Sequence, residues 1–237
     1  MRGPIKNQAF QVLRNRGIRI GTVLDVGVLT GTAELMAHFP QALHLLFEPV
    51  VDFNPDIERN YRRVRHEIVN VAISDSTGET LLETYRLIDV GGHSVSHSNV
   101  ASEAAEGRTY RTVPRTTLDD FLKDRKLAEP YLLKIDVDGH ELAVIAGAAE
   151  TLKKCAVVMV ETTIDELPER IAAVAAHGFT LFDLAEPCYY DNAFYNCDAI
   201  LLRSDLHKRL FAQFDEDFDY AKYTVFAPPP RPRAAKG

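Results

Sequence analysis

One stretch of the chain reads Val23-Leu24-Asp25-Val26-Gly27-Val28-Leu29-Thr30-Gly31, an apolar run with one acidic residue and two glycines. This order predicts a buried strand, a tight turn and a helix, because Gly27 lets the backbone turn sharply and lets a ligand approach it. The helix after Gly31 would offer free N–H groups at the same edge. Open α/β sheets bind ligands at the carboxyl ends of their strands, so we expect Asp25 to face a cationic amino group there. The glycines alone also fit a purely structural turn.

Similar apolar runs recur between helical patterns, which is typical of a parallel sheet covered on both faces. We predict seven core strands, at residues 22–26, 43–47, 68–73, 131–137, 156–161, 179–184 and 198–203. Helices are predicted at residues 32–38, 56–64, 118–125, 141–153, 165–177 and 205–214. The expected fold class is therefore α/β.

The interval between the third and fourth predicted strands is long. Residues 79–87 alternate like an edge strand, and the Gly/Ser/His stretch 91–99 predicts a mobile loop on the ligand-binding rim. We expect residues 1–226 to form a single domain that begins with a helical lead-in at 1–20. Residues 227–237 contain four prolines and predict a disordered, extended tail.

Composition limits the classes of partner and compartment. The 237 residues include 27 Lys and Arg against 34 Asp and Glu, and the net charge of −7 argues against binding nucleic acid or an anionic membrane. Cys155, Cys188 and Cys197 are too few and too widely spaced for a disulfide framework or a CxxC metal site. No apolar leader or membrane-length run is present in the sequence, so we expect a cytoplasmic protein. A homodimer is the commonest oligomer to expect.

A second acidic residue, Glu48, follows the predicted strand 43–47, where a carboxylate can accept hydrogen bonds from both ribose hydroxyls. A dinucleotide fingerprint needs G-x-G-x-x-G, whereas three residues separate Gly27 from Gly31 and no third glycine follows. The spacing disfavours NAD and FAD. It suits S-adenosylmethionine, which has no pyrophosphate and needs one close turn with acidic partners for its ribose and amino group.

The order of these motifs resembles the FkbM-type methyltransferase family across about residues 20 to 205. The resemblance is carried by Asp25-Val26-Gly27 with Gly31, Phe47-Glu48-Pro49, Asn70-Val71-Ala72-Ile73-Ser74-Asp75 with Gly78, Thr117-Leu118-Asp119-Asp120-Phe121, and Leu133-Lys134-Ile135-Asp136-Val137-Asp138-Gly139-His140-Glu141. It implies a Rossmann-like, seven-stranded class I methyltransferase sheet, mostly parallel with an antiparallel last strand. It also implies S-adenosylmethionine as methyl donor and often a sugar hydroxyl as acceptor.

The resemblance further implies roles for individual residues. Asp25 and Gly27 would border the methionine part of the donor, Glu48 the ribose, Ala72 and Ile73 the adenine, and Asp136 the sulfonium. Val28-Leu29 departs from the Ala-Asn that is usual in the family, so contacts made by that Asn are not expected here.

The run from Asp136 to Glu141 places three carboxylates and an imidazole within six residues. Strand alternation would point Asp136 and Asp138 to one side, and a turn at Gly139 would bring His140 over the cleft. An alcohol does not ionise at neutral pH, so methyl transfer to a hydroxyl needs a base, and we predict His140. The alternative is that His140 caps the next helix or hydrogen-bonds its neighbours.

Glu161 ends the next predicted strand, so Asp136 and Glu161 can converge on Mg²⁺, although a metal-free site fits the pattern as well. His93 and His97 of the predicted loop are second-choice contacts for the acceptor. Tyr189 and Tyr195 belong to an aromatic cluster that suits stacking on a sugar ring, or else packs as an ordinary hairpin.

The sequence thus predicts an S-adenosylmethionine-dependent O-methyltransferase acting on a hydroxyl of a sugar, glycoside or oligosaccharide. Two alternatives stay open at this point. One is an NAD-linked oxidoreductase, which the glycine spacing disfavours, and the other is a noncatalytic interaction module with the same fold.

Overall fold

The structure is a computed structural model that describes residues 2–87, 95–101, 108–213 and 218–226, with the backbone alone for 84–87, 95–99 and 101. The described strands are β1 Thr22–Val26, β2 Leu43–Phe47, β3 His66–Val69, β4 Ala72–Ile73, β5 Gly78–Leu87, β6 Val95–Ala101, β7 Tyr110–Thr116, β8 Tyr131–Ile135, β9 Cys155–Thr163, β10 Phe179–Tyr190 and β11 Ala193–Arg203. The described helices are α1 Lys6–Asn15, α2 Ala33–His38, α3 Asn54–Tyr61, α4 Leu118–Leu122, α5 Glu141–Ala146, α6 Ala149–Leu152, α7 Leu167–Ala175 and α8 Ser204–Leu210, with 3₁₀ turns at Val51–Phe53 and Tyr220–Lys222. The predicted tail, 227–237, lies outside the described residues.

The main sheet has seven strands in the order β10-β11-β9-β8-β1-β2-β3. All neighbouring pairs are parallel except those made by β11, which runs antiparallel to both β9 and β10. The predicted seven-stranded, mostly parallel sheet with an antiparallel last strand is confirmed. The last two strands extend beyond the predicted segments and form a hairpin at the carboxyl edge of β9.

Alternate residues of the central strands face two apolar layers. Leu24 of β1 and Leu133 of β8 pack with α4 to α7, whereas Val23 and Leu132 pack with α1, α2 and α8. Each layer buries one face of the sheet, as near-continuous apolar strands require. The lead-in helix is present as α1, and its Phe10 belongs to the second layer.

A second sheet of four strands, β4-β7-β5-β6, was not predicted. Segment 68–73 is not one strand, because a turn in which the Val71 N–H donates to the Val69 carbonyl separates β3 from β4. The supposed edge strand 79–87 corresponds to β5, which lies inside this sheet between β7 and β6. Residues 95–99 of the supposed loop are part of strand β6, and residues 91–94 lie outside the described part of the chain.

The predicted helix 141–153 is two helices, α5 and α6, separated by Gly147 and Ala148. A Cβ on Gly147 would lie 2.0 Å from the Ser74 carbonyl oxygen, so the chain approaches the end of β4 too closely for a side chain. This contact holds the end of α5 beside the second sheet. Among the described residues, none of the helices has the length and apolar character needed to cross a membrane.

Candidate active site

The site begins with the alignment of four strand ends. Val26, Phe47, Ile135 and Val160 lie at one level in the paired registers of β1, β2, β8 and β9. The next residue along each strand is Gly27, Glu48, Asp136 and Glu161, respectively. The sheet therefore brings four segments that are distant in sequence to one edge.

A cavity of about 240 Å³ lies above this edge. The second sheet forms its opposite wall through Ala72, Ile73, Leu82 and Val100. The remaining lining residues are Val26, Gly27, Leu29, Phe47, Glu48, Pro49, Val71, Asp136, Val137, Asp138, His140 and Glu161. Polar groups and apolar side chains thus line one concave space, as in most small-molecule sites.

Gly27 has a φ of +81°, and a Cβ there would lie 1.7 Å from the Asp136 carbonyl oxygen. Only glycine allows the β1 turn to lie against the end of β8 in this way. Gly31 does not line the cavity, and its nearest neighbour is the Tyr61 ring, 3.0 Å from the position of a Cβ. The turn after β1 is as predicted, but Gly31 packs against Tyr61 on the side of the turn that faces away from the cavity.

The prediction that Asp25 contacts the ligand is not supported by its position. Its side chain is fully buried and absent from the cavity lining, so it does not face the cavity. The cation beside it belongs to the chain, because Lys134 Nζ lies 3.3 Å from Asp25 Oδ1, and the Tyr61 hydroxyl donates to Oδ2 over 3.1 Å. Asp25 therefore acts on the site indirectly, by pairing with Lys134.

Lys134 is a residue that the sequence reasoning missed. Its ammonium group bridges Asp25 and Asp136 Oδ2, 3.2 Å away, and donates to the Gly27 carbonyl. Burial opposes the charge, but the two carboxylates outweigh it and raise the pKa of Lys134 above its usual value. The signal was a lysine within the fully buried strand β8, which an apolar strand does not accommodate without partners.

Asp136 and Glu161 both line the cavity and are hydrogen-bonded to each other. Burial and the negative charges of Asp136 and Asp198 raise the pKa of Glu161 to about 8. Burial acts against ionisation of Asp136 as well, but Lys134 and the two hydrogen bonds lower the pKa of Asp136 overall. Glu161 is therefore the member of the pair that takes up a proton more readily, and its protonated form donates a hydrogen bond to the Asp136 carboxylate.

This pair fits a divalent metal poorly. Lys134 Nζ lies 3.2 Å from Asp136 Oδ2, so a divalent cation bound to this carboxylate would lie beside a buried ammonium group. Within residues 2–87, 95–101, 108–213 and 218–226, no group of three or more His, Cys, Asp and Glu side chains is placed to hold a metal ion. We therefore derive no chemical step through Mg²⁺.

Glu48 is nearly fully buried, with Oε2 accepting from the Leu29 N–H and Oε1 from the Val50 N–H, each over 2.9 Å. Burial raises the pKa of Glu48 to about 7, against the effect of these two hydrogen bonds. Each oxygen keeps a second lone pair for a ligand hydroxyl. The backbone of Leu29 thus holds Glu48 in place, whatever side chain stands at that position.

His140 lines the cavity, and its Nε2 lies 2.8 Å from the Ser74 hydroxyl. It precedes α5, but its side chain makes no capping hydrogen bond. Burial lowers the pKa of His140, and Arg115 adds to this while Asp75 opposes it. The imidazole is accordingly neutral at pH 7, the form in which a base works. Strand alternation plays no part here, because β8 ends at Ile135 and Asp138 has a φ of +52°.

Of the four predicted acceptor contacts, only the two tyrosines have side chains that the structure describes. His93 lies outside the described residues, and His97 is described only as backbone of β6. Tyr189 and Tyr195 are exposed on the β10–β11 hairpin and do not line the cavity. The hairpin still reaches the site through Asn196, whose side-chain N–H donates to Glu161 Oε1 over 3.2 Å.

The chain is similar to known methyltransferases. The family model described as the methyltransferase FkbM domain matches residues 25–193. The hexuronic acid methyltransferase AglP of Haloferax volcanii is 27% identical over 139 residues, which cover 58% of this chain. The match spans only 54% of that curated relative.

Two solved structures are similar to this chain at low sequence identity. A precorrin-6y C5,15-methyltransferase from Geobacter metallireducens is 10% identical with a TM-score of 0.46, covering 83% of this chain and 87% of that one. An O-methyltransferase from Bacillus cereus is 11% identical with a TM-score of 0.45, covering 83% and 80%, respectively.

The family match begins at Asp25, ends at Ala193 in the hairpin, and covers every cavity-lining residue described above. It favours a methyltransferase over the NAD-linked oxidoreductase. The chain belongs to the FkbM methyltransferase domain family.

Proposed function

We propose that the chain is an S-adenosylmethionine-dependent O-methyltransferase that acts on a hydroxyl of a sugar, glycoside or oligosaccharide. The observation that carries the proposal is a single cavity that joins the Gly27 turn, Glu48 and Asp136 to the imidazole of His140. The edge proposed to bind the nucleoside and the proposed base therefore line the same cavity.

The donor would occupy the part of the cavity along the ends of β1, β2 and β8. Glu48 would accept the ribose hydroxyls, the backbone at Gly27 would border the methionine part, and Ala72 and Ile73 would supply an apolar wall for the adenine. The Asp136 carboxylate would lie near the sulfonium, where a negative charge stabilises a cation. S-adenosylmethionine supplies an electrophilic methyl group when bound.

The acceptor hydroxyl would lose its proton to His140 as its oxygen took the methyl group, the methyl–sulfur bond would break, and S-adenosylhomocysteine would leave. The Ser74 hydroxyl also lies 3.2 Å from Asp75 Oδ1. If Ser74 donates to that carboxylate, it accepts from His140 Nε2–H, which leaves Nδ1 as the basic nitrogen. Ser74 and Asp75 would thus select the tautomer, as an orienting group does for other catalytic histidines.

A carbohydrate acceptor is supported by the Haloferax volcanii relative, because a hexuronic acid is a sugar acid. Exposed tyrosines on the hairpin next to Glu161 are compatible with an acceptor larger than one sugar, since aromatic rings suit the faces of sugar rings. The lysine-compensated carboxylates favour transfer without a metal.

The test compares ligands first and catalysis second. S-adenosylhomocysteine and NADH are titrated separately into the protein, and we expect tight binding of S-adenosylhomocysteine alone. A methyl-labelled donor is then offered with a panel of glycans, and labelled products are identified by mass spectrometry. Tight binding of NADH instead would contradict the proposal.

His140→Ala should lower kcat by about 10²- to 10⁴-fold, the usual contribution of a positioned base, while the Kd of S-adenosylhomocysteine stays nearly unchanged. His177→Ala is the matched control, because His177 is exposed at the end of α7 and far in the fold from the cavity lining. Near-normal turnover of His140→Ala would remove His140 from the role of base.

A further inference from the structure

A second opening adjoins the cavity on the side of the four-stranded sheet. It is a groove of about 730 Å³ lined by Glu79, Thr80, Leu81, Val100, Thr112, Arg115 and His140. Val100 and His140 line both spaces. The groove thus leads from the surface of the second sheet to the imidazole that we assign as base.

Arg115, on strand β7, brings the groove's guanidinium group. Its Nε is shielded from solvent and has no hydrogen-bond partner within the residues that the structure describes. In the described part of the chain, no ion pair joins Arg115 to a carboxylate. A buried N–H without an acceptor costs free energy, so an acceptor supplied by a ligand would be favoured there.

Neighbouring arginines behave differently. Arg111, on the same strand, donates to Asp52 over 2.8 Å, and Arg108 donates to Glu83 over 2.8 and 2.9 Å. Both therefore have their acceptor within the protein. Arg115 lies near enough to Asp75 and His140 to act on them electrostatically, but no direct ion-pair partner of Arg115 is found among the described residues.

The other polar groups of the groove suit a ligand with hydroxyls. Glu79 carries a carboxylate that can accept from hydroxyl groups, and Thr80 and Thr112 line the same groove. Glu79 would repel an anionic group placed beside it, so an anion is favoured only at the Arg115 end. The groove therefore combines one cationic contact with acceptors for a polyhydroxylated molecule.

We propose that this groove binds the acceptor through an anionic group held by Arg115, so that the acceptor is an acidic sugar with a carboxylate or a phosphate. A guanidinium group recognises both anions through paired N–H donors. The proposal rests on the proposed function, because the sugar hydroxyl to be methylated would lie near His140. It adds a substrate class and a specificity-determining residue.

The experiment measures sugar binding to the chain saturated with S-adenosylhomocysteine. Glucuronate, glucose 6-phosphate and methyl glucoside are titrated separately, and binding is followed by ligand-observed NMR. We expect both or one of the anionic sugars to bind and methyl glucoside to bind more weakly, and the stronger of the two anions identifies the source of the charge. Because saturation with S-adenosylhomocysteine is measured first, failure of donor binding is recognised separately as failure of the proposed function.

Three variants locate the contact. Arg115→Met should weaken binding of the anionic sugar by about tenfold, the usual effect of losing a charge-assisted hydrogen bond. Arg111→Met is the matched control on the same strand and should leave the Kd unchanged, since Arg111 is paired with Asp52. Glu79→Gln should tighten binding, because it removes a negative charge from the groove.

The proposal is overturned by any of three results. These are no measurable binding of either anionic sugar, equal binding of anionic and neutral sugars, or equal loss of affinity in Arg115→Met and Arg111→Met. In each variant, unchanged affinity for S-adenosylhomocysteine shows that the fold of the donor site is intact.

Discussion

Replacing Lys134 by Met tests whether this lysine supports the site. Met has a similar length and no charge, so the change removes the ammonium group and leaves most of the apolar stem. Asp25 then stays fully buried, with the Tyr61 hydroxyl as its remaining side-chain donor and no cation beside it. The loss of the ammonium group destabilises the Asp136 carboxylate less, because 39% of its side chain is exposed and water can replace part of the lost contact.

Removal of one partner from a buried ion pair costs about 3–5 kcal/mol, because the other charge remains uncompensated. For a chain of this length each kcal/mol lowers Tm by about 2–4 °C, so we expect a fall of about 6–20 °C. The free energy of unfolding from urea titrations at pH 7 measures the effect directly. Affinity for S-adenosylhomocysteine should fall as well, since Lys134 also holds the Gly27 carbonyl.

Two further variants separate the charge from other effects. Lys153→Met removes an exposed lysine paired with the exposed Glu150, and should change stability by less than about 0.5 kcal/mol. Asp25→Asn combined with Lys134→Met removes both buried charges and should recover most of the lost stability. A single Lys134→Met variant within about 1 kcal/mol of the parent chain, or a double variant no better than the single, would refute this reasoning.

Three more outcomes are expected. Gly27→Ala should weaken S-adenosylhomocysteine binding by about 10- to 100-fold, because its Cβ would clash with the Asp136 carbonyl. Gly17→Ala is the control, since Gly17 also has a positive φ, +85°, but no atom lies within 4 Å of the position of its Cβ. Gly17→Ala should leave the Kd of S-adenosylhomocysteine unchanged. The pKa of Glu161 is raised from 4.5 to about 8, so between these pH values the folded chain retains a proton that the unfolded chain releases, and the free energy of unfolding should fall as pH rises. Glu161→Gln should reduce that fall in urea titrations at several pH values. An unchanged dependence of the free energy of unfolding on pH would contradict the raised pKa of Glu161. EDTA should leave turnover unchanged, and loss of activity that Mg²⁺ restores would show that transfer needs the metal.

Much of the main sheet could be predicted because its signals are local. An apolar run such as Thr22–Val26 indicates a buried strand wherever it occurs, and Gly27 indicates a turn that only glycine allows. The position of Glu48 one residue after a predicted strand placed it at the carboxyl edge before any pairing was known. The strand registers then confirmed that this edge is shared.

The second sheet could not be predicted in the same way. Strand β4 has two residues and pairs with β7, while β5 lies between β7 and β6. The alternation of residues 79–87 predicted a strand but not its partners, because strand preference depends strongly on the neighbouring strand and on burial. The wall of the cavity and the groove at Arg115 depend on this sheet, so neither was visible in the sequence.

The sequence by itself determined which residue types stand at the strand ends, and with them the family and the class of chemistry. Only the tertiary structure decided which of them face the cavity. The place of Asp25 in β1 predicted a ligand contact, but its carboxylate is paired with the Lys134 ammonium group instead. The same ammonium group donates to the carbonyl of Gly27, which is 107 residues away in the sequence. A buried carboxylate takes the nearest cation that relieves its desolvation, and which cation is nearest is set by strand pairing rather than by sequence distance.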